Sequence, residues 1–267
     1  MSRLRFTKMQ ALGNDFMVVE TITQAAVLTS PVITAFAERH TGVGFDQLIM
    51  ISKTGRSDAH FRIDFFNADG LLAEQCGNGL RAAALFVYDK HFHTATDCIF
   101  HTASECFLTT RLDASLVSAQ LSVPRCNQSS VVLDNRPALS VCDVWIGNPH
   151  CVLMAEQVAE HERVRIGTAL QRAPAYPHGV NVGFLQVQDR TQVQLQVFER
   201  GVGFTEACGS GACAAVVAGI TLGILDTRVS VAMPGGRVDV FWPECNKPVT
   251  LIGPAECVFD GEIFLPN

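Results

Sequence analysis

Cys76 and Cys208 stand in two versions of one cassette. Residues 66–83 read FNADGLLAEQCGNGLRAA and residues 198–215 read FERGVGFTEACGSGACAA. An offset of 132 carries Phe66, Cys76, Gly77, Gly79, Ala82 and Ala83 onto Phe198, Cys208, Gly209, Gly211, Ala214 and Ala215. In each copy a Cys-Gly-x-Gly turn leads into a small, apolar run, the pattern of a loop feeding the buried start of a helix. There a sulfur meets backbone N–H groups and the positive helix end, which favour thiolate over thiol. A free thiol titrates at about 8.5 and is lowered by such neighbours, so a thiolate near neutral pH is feasible. Two such sulfurs on opposite sides of one carbon would remove a proton from one face and return a proton to the other, exchanging roles for the reverse reaction. The same amides suit a substrate carboxylate and the enolate-like charge that forms when an α-proton leaves. An amino acid fits this chemistry without a cofactor.

The repetition extends to other polar residues. Gly13 and Asn14 return as Gly147 and Asn148, and Gln47 returns as Asn181, each 134 residues later. Three polar sites therefore recur in order, which reads as two tandem copies of one fold contributing comparable groups to a shared place, an interdomain cleft being the usual position for a small molecule. Asn67 lies in the first cassette, and Glu199 with Arg200 follows the Phe of the second. An exposed ion pair is the plain reading of Glu199 and Arg200; a substrate clamp is the sharper one. His150 ends the turn GNPH, opposite GNDF, which favours a site role over a core histidine. The Gly-x-Gly segments lack the lysine of a phosphate loop and the third glycine of a dinucleotide fingerprint. His91 and His93 read as a solvent-facing helix end, with no metal spacing around them.

Composition is consistent with two domains. The 267 residues are 48% hydrophobic and 17% charged, enough for a core in each half. The net charge of −6 and the lack of a Lys/Arg run argue against nucleic acid. MSRLRFTKMQ shows no apolar stretch of signal-peptide length, and the apolar run from Ala212 to Leu225 is too short for an ordinary membrane span. The expectation is a soluble cytoplasmic protein with reduced thiols. Cys98, Cys106, Cys126, Cys142, Cys151, Cys213, Cys245 and Cys257 read as small buried hydrophobes.

Short β-like runs fill both halves: Leu4–Lys8, Phe16–Glu20, Gln47–Ile51, Phe61–Phe66, Cys98–His101 and Cys106–Arg111 in the first. The second offers Val141–Ile146, Cys151–Met154, Val182–Val187, Gln192–Phe198, Arg228–Ala232, Val238–Phe241 and Val249–Ile252. Residues 79–88 and 211–225 are apolar nearly all round and predict helices enclosed by sheet. The fold expected is α+β: two pseudo-symmetric domains, each a strongly curved, mostly antiparallel sheet wrapped around a central helix. The first is placed at residues 1–124, with 258–267 as a candidate for return to it, and the second at 125–257.

FTKMQALGNDF, GVGFDQ, FNADG, QCGNG, GNPH, VN and ERGVGFTEACGSGACAA, in this order over residues 6–215, resemble the motif series of the diaminopimelate epimerases. The resemblance implies a cofactor-independent, two-base isomerase that interconverts LL- and meso-2,6-diaminopimelate in lysine and peptidoglycan precursor synthesis, and a homodimer. By position it implies Cys76 and Cys208 as the acid/base pair, with His150 and Glu199 tuning their ionisation. Gly77, Asn78, Gly209 and Ser210 would cradle the reacting carboxylate, while Asn14, Gln47, Asn67, Asn148, Asn181 and Arg200 would grip the rest of the substrate. No metal or cofactor is implied. The sequence departs from the common pattern at Leu80, Ala82, Phe204, Glu206 and Ser210, the last keeping the hydroxyl of the commoner threonine. A racemase of another amino acid is the nearest alternative. A non-catalytic amino-acid-binding protein would have no use for paired thiols, and a thiol hydrolase no use for the second cysteine.

Overall fold

Buried helices and short alternating strands settle into two separate compact units in the computed structural model, which describes residues 3–73, 76–133 and 137–265. One unit comprises residues 1–120 with 253–267, the other residues 121–252. The first crossing thus falls a few residues before Pro124. Among the described residues no helix is long and apolar enough to cross a membrane.

The first unit runs β1 (Arg3–Ala11), β2 (Asn14–Glu20), α1 (Ser30–Ala37), β3 (Gln47–Lys53), β4 (Phe61–Asn67), α2 (Gly77–Asp89), β5 (Asp97–His101), β6 (Cys106–Arg111) and β7 (Leu116–Gln120). The second holds β8 (Arg125–Val131), β9 (Leu139–Trp145), β10 (Pro149–Met154), α3 (Arg163–Gln171), β11 (Asn181–Val187), β12 (Gln192–Glu199), β13 (Gly203–Thr205), α4 (Gly209–Thr221), β14 (Arg228–Met233), β15 (Gly236–Phe241) and the start of β16 (Thr250–Pro254), within which the chain crosses back to the first unit. The chain then continues in the first unit as β17 (Glu256–Phe264), antiparallel to β1.

In the first unit the strands pair in the order β17, β1, β2, β3, β4, β5, β6, β7. In this order, among the described residues, only β2–β3 and β4–β5 are parallel. Helix α2 packs against β17 and β1 at one end of this order and β6 and β7 at the other, so the sheet must curl around it. Every residue of α2 except Asp89 is buried. Leu80, Leu85, Phe86 and Val87 supply its apolar surface, each contributing about 1.5–3 kcal/mol on full burial. In the second unit α4 is enclosed by β8 through β12 and by β15. Its buried residues are nearly all Gly, Ala, Cys or Val, which lets the surrounding strands approach closely.

The two units repeat down to strand register. Phe16 pairs with Gln47 across parallel β2–β3, and 134 residues on His150 pairs with Asn181 across parallel β10–β11. Leu48–Phe66 returns as Val182–Phe198, and Phe61–Phe100 as Val193–Val231. Even the isolated bridge Phe66–Leu72 recurs, as Phe198–Phe204 between β12 and β13. The central helices are each 13 residues long and begin one residue after the repeated cysteine.

Two expectations are corrected. The second central helix stops at Thr221 instead of continuing to Leu225. Gly223 takes a positive φ of 73°, and the chain turns back so that Leu225 packs over Gly219, where a side chain at 219 would sit. Of the eight cysteines read as buried, Cys98, Cys142, Cys151 and Cys213 are, Cys126 is half-buried, and Cys106, Cys245 and Cys257 are exposed. Cys106 opens β6 and Cys257 lies on β17, exposed along most of its length, while Cys245 follows the last residue of β15 in a loop.

Candidate functional site

Each repeated cysteine is the N-cap of its central helix, in extended backbone conformation: φ −142°, ψ 108° at Cys76 and φ −124°, ψ 108° at Cys208. The helix starts at once, with Leu80 N–H donating to the Cys76 carbonyl at 2.8 Å and Ala212 N–H to that of Cys208 at 2.9 Å. The first amides of a helix have no carbonyl a turn behind them, so they aim at whatever lies before the N-terminus. In the first unit Gly79 N–H donates to Cys76 Sγ at 3.2 Å, a bond that favours the ionised sulfur.

The second glycine of each motif lies where its helix passes closest to a strand. A Cβ at Gly79 would sit 2.7 Å from the Phe65 ring, and one at Gly211 would sit 2.9 Å from Val197 and 3.2 Å from Cys208 Sγ. Phe65 and Val197 are themselves 132 residues apart, so the close approach is part of the repeat.

In the first unit Asn14, Cys76 and Asn78 meet. Cys76 Sγ donates to Asn14 Oδ1 at 3.7 Å, and Asn78 Nδ2 donates to the same oxygen at 3.4 Å. Gln47 and Asn67 face each other across β3–β4, with Gln47 Nε2 donating to Asn67 Oδ1 at 3.0 Å. Gln47 Oε1 is buried without a hydrogen-bond partner among the described residues, an acceptor suited to a bound donor.

The second unit brings Asn148, His150, Cys208 and Ser210 together. Asn148 Nδ2 donates to Ser210 Oγ at 3.4 Å, the counterpart of the Asn78–Asn14 contact. His150 Nε2 lies 3.0 Å from Asn148 Oδ1 and 3.1 Å from Ser210 Oγ, and Ser210 Oγ lies 3.7 Å from Cys208 Sγ. Burial pushes His150 down to about 3, with the Arg200 charge acting in the same direction. A neutral imidazole therefore offers hydrogen bonds to this cluster but no charge. Asn181 sits beside His150 in register and accepts from Arg200 N–H at 2.9 Å. The Arg200 stem lies over Gly179, whose absent Cβ leaves it room, and its Nη1 donates to the His178 carbonyl at 3.2 Å. Thr205 Oγ1 donates to Glu199 Oε1 at 2.5 Å.

The expected residues thus form a cysteine-centred cluster in each unit, Asn14–Cys76–Asn78 and Asn148–His150–Cys208–Ser210, with Gln47–Asn67 as a separate pair and Glu199 bonded to Thr205. Asp46, with Asp15 and Arg39 behind it, is the addition. Asp46 Oδ2 accepts from Asn14 Nδ2 at 2.9 Å, and the available signal was its place beside Gln47 at the start of β3.

The state of His150 has a consequence for stability. In the unfolded chain this histidine takes up a proton near 6.5, whereas in the fold it does so only near 3. Between these values the unfolded chain binds more protons, so stability falls as the pH drops below about 6.5, until the folded value is passed. The thermal midpoint should therefore decline more steeply from pH 7 to pH 5 in the wild type than in His150→Asn. Parallel curves would mean that His150 is not held neutral.

The family model of diaminopimelate epimerase matches residues 6–116 and 142–258. A diaminopimelate epimerase of Azotobacter vinelandii is 42% identical, over 98% of this chain and 99% of the relative. One from Teredinibacter turnerae is 39% identical, over 98% of this chain and all of the relative. Among solved structures, a hydroxyproline epimerase from Agrobacterium vitis superimposes with a TM-score of 0.75 at 12% identity, covering 98% of this chain and 92% of that one. That last likeness speaks to the fold alone.

Proposed function

Because the chain belongs to the diaminopimelate epimerase family, an isomerase family, we propose that Cys76 and Cys208 are the two bases by which it interconverts LL- and meso-2,6-diaminopimelate. The observation that carries this reading is the repetition of one cysteine N-cap, at matching register, in both halves of a family member. One sulfur, as thiolate, takes the α-proton while the other, as thiol, delivers a proton to the opposite face; reversal exchanges the roles. Net chemistry is inversion at one carbon, with no change of oxidation state and no cofactor required.

The other residues take roles suited to their positions. Amides at the two helix starts, those of Gly77 and Asn78 and of Gly209 and Ser210, receive the carboxylate on the reacting carbon and the charge that spreads onto it. Ser210 links Cys208 to His150, so a neutral His150 tunes that thiol through a hydroxyl; Glu199 contributes its charge. Gln47 Oε1 suits a substrate ammonium, and Asn14, Asn67, Asn148 and Asn181 complete the grip. Arg200 supplies a planar fork for the distal carboxylate. The protein acts in the cytoplasm as a homodimer on this small-molecule substrate, without nucleic acid, membrane or metal.

Incubation of the reduced protein with LL-diaminopimelate, followed by chiral chromatography, tests the assignment. Conversion to a mixture with the meso form supports it; folded, reduced protein that leaves the substrate unchanged would redirect the search to other amino acids. Arg200→Met should raise KM roughly tenfold to a hundredfold, the worth of a charge-assisted bond, with a smaller effect on kcat. Unchanged kinetics in that variant would remove Arg200 from the site.

A further inference from the structure

A carboxylate can only accept hydrogen bonds, and this decides which way the Asn14 amide points. Asn14 Nδ2 donates to Asp46 Oδ2 at 2.9 Å, so its oxygen is turned toward Cys76 and Asn78. Asp46 is itself fixed on several sides. Its Oδ1 accepts from Arg39 Nη2 at 2.8 Å, its Oδ2 also accepts from Asp15 N–H at 3.1 Å, and its own N–H donates to Asp15 Oδ1 at 2.9 Å. Arg39 grips Asp15 through both oxygens, at 2.9 Å each, and Lys8 pairs with Asp15 from β1. Burial works against the Asp15 charge, but the Arg39 and Lys8 bonds and charges outweigh it and bring Asp15 down to about 2. Asp15 therefore stays ionised throughout the neutral range.

We infer that Asp46 is a positioning residue, which holds the Asn14 oxygen toward Cys76 and thereby opposes the Gly79 N–H on the same sulfur, shifting the balance at that position toward the protonated thiol in the resting protein. The inference rests on the reading of Cys76 as an acid/base group and adds the device that sets its proton. A sulfur that donates to a carbonyl oxygen is stabilised as thiol, and the same amide reversed would offer N–H to the sulfur and stabilise thiolate. Lys8, Asp15, Arg39 and Asp46 are the charged groups of this network, drawn from β1, β2 and the segment joining α1 to β3.

Asp46→Asn removes the acceptor that forces the orientation and can itself donate to Asn14. The test is the rate of Cys76 alkylation by iodoacetamide, read peptide by peptide by mass spectrometry across pH, without substrate. In Asp46→Asn, Cys76 should be labelled roughly three- to tenfold faster at neutral pH, as a shift of half to one unit implies, with Cys208 labelling unchanged. Asp46→Glu, which keeps an acceptor, should restore the wild-type rate. Asn14→Ala leaves the ion network in place and should accelerate labelling by itself, and in that background Asp46→Asn should add nothing. Wild-type labelling in Asp46→Asn would overturn the inference. So would acceleration that persists in the Asn14→Ala background, since that is the mark of a lost charge acting through space. Should Asp46→Asn fail to fold, wild-type labelling in Asn14→Ala decides against it. Turnover of Cys76→Ala separately tests the underlying reading, because a variant that still turns over would displace Cys76 from catalysis without touching the labelling result.

Discussion

Replacing either repeated cysteine by alanine should lower turnover by roughly 10²–10⁴-fold in both directions, the contribution of a positioned acid or base. The expectation is symmetrical because each sulfur is the acceptor for one stereoisomer and the donor for the other. The variants should still fold. Cys76→Ala forfeits a cap bond from Gly79 N–H, which costs about 0.5–2 kcal/mol, while the buried body of α2 is untouched. Initial rates from LL- and meso-diaminopimelate, with thermal midpoints as the folding control, make the measurement. A folded variant that retained wild-type turnover in either direction would remove that cysteine from the mechanism.

A methyl group at the second glycine of either motif should be nearly as damaging, for a different reason. In Gly211→Ala the new carbon arrives 2.9 Å from Val197 and 3.2 Å from Cys208 Sγ, and in Gly79→Ala it arrives 2.7 Å from the Phe65 ring. Phe65 and Val197 are buried, so neither has space to retreat. Overpacking of this kind costs about 1–3 kcal/mol of stability. The helix start must shift with its cysteine, and a displacement of about 1 Å in a reacting group costs on the order of 10²-fold in rate. Both variants should therefore melt lower and turn over more slowly while their thiols remain titratable. Wild-type kcat in Gly211→Ala would show that the spacing of helix and strand does not set the sulfur.

The residues that announced the fold were those whose pattern arises from local burial. Apolar runs of helical length predicted α2 and α4, and each alternating run listed from β1 to β16 corresponds to a strand. Most of the elements missed lack such a pattern; β7, LVSAQ, does alternate but over only five residues, and β13 is only three residues long. β8 reads RCNQSSV and is mostly exposed, so its strand character comes from pairing with β9. β17 is exposed on both faces and is defined by β1. Helices α1 and α3 are short, and each buries only three residues. The repeated cysteines, asparagines and Gln47 were legible because duplication marks what a single copy would leave ambiguous. Asp46 was not, since a carboxylate beside a turn looks like ordinary surface until the fold places Asn14 against it.

The central claim, two-base inversion of an α-carbon, is tested most directly by initial-rate turnover of LL-diaminopimelate in D2O. Product and residual substrate are separated by chirality and weighed by mass spectrometry. With two bases, the meso product of early turnover carries one deuterium at the inverted carbon, while the residual LL substrate stays unlabelled. The product's new hydrogen comes from a solvent-equilibrated thiol, and the proton taken up leaves on the opposite face. Meso product that retained the substrate's own hydrogen would contradict the account, because a single group would then have carried the proton from one face to the other.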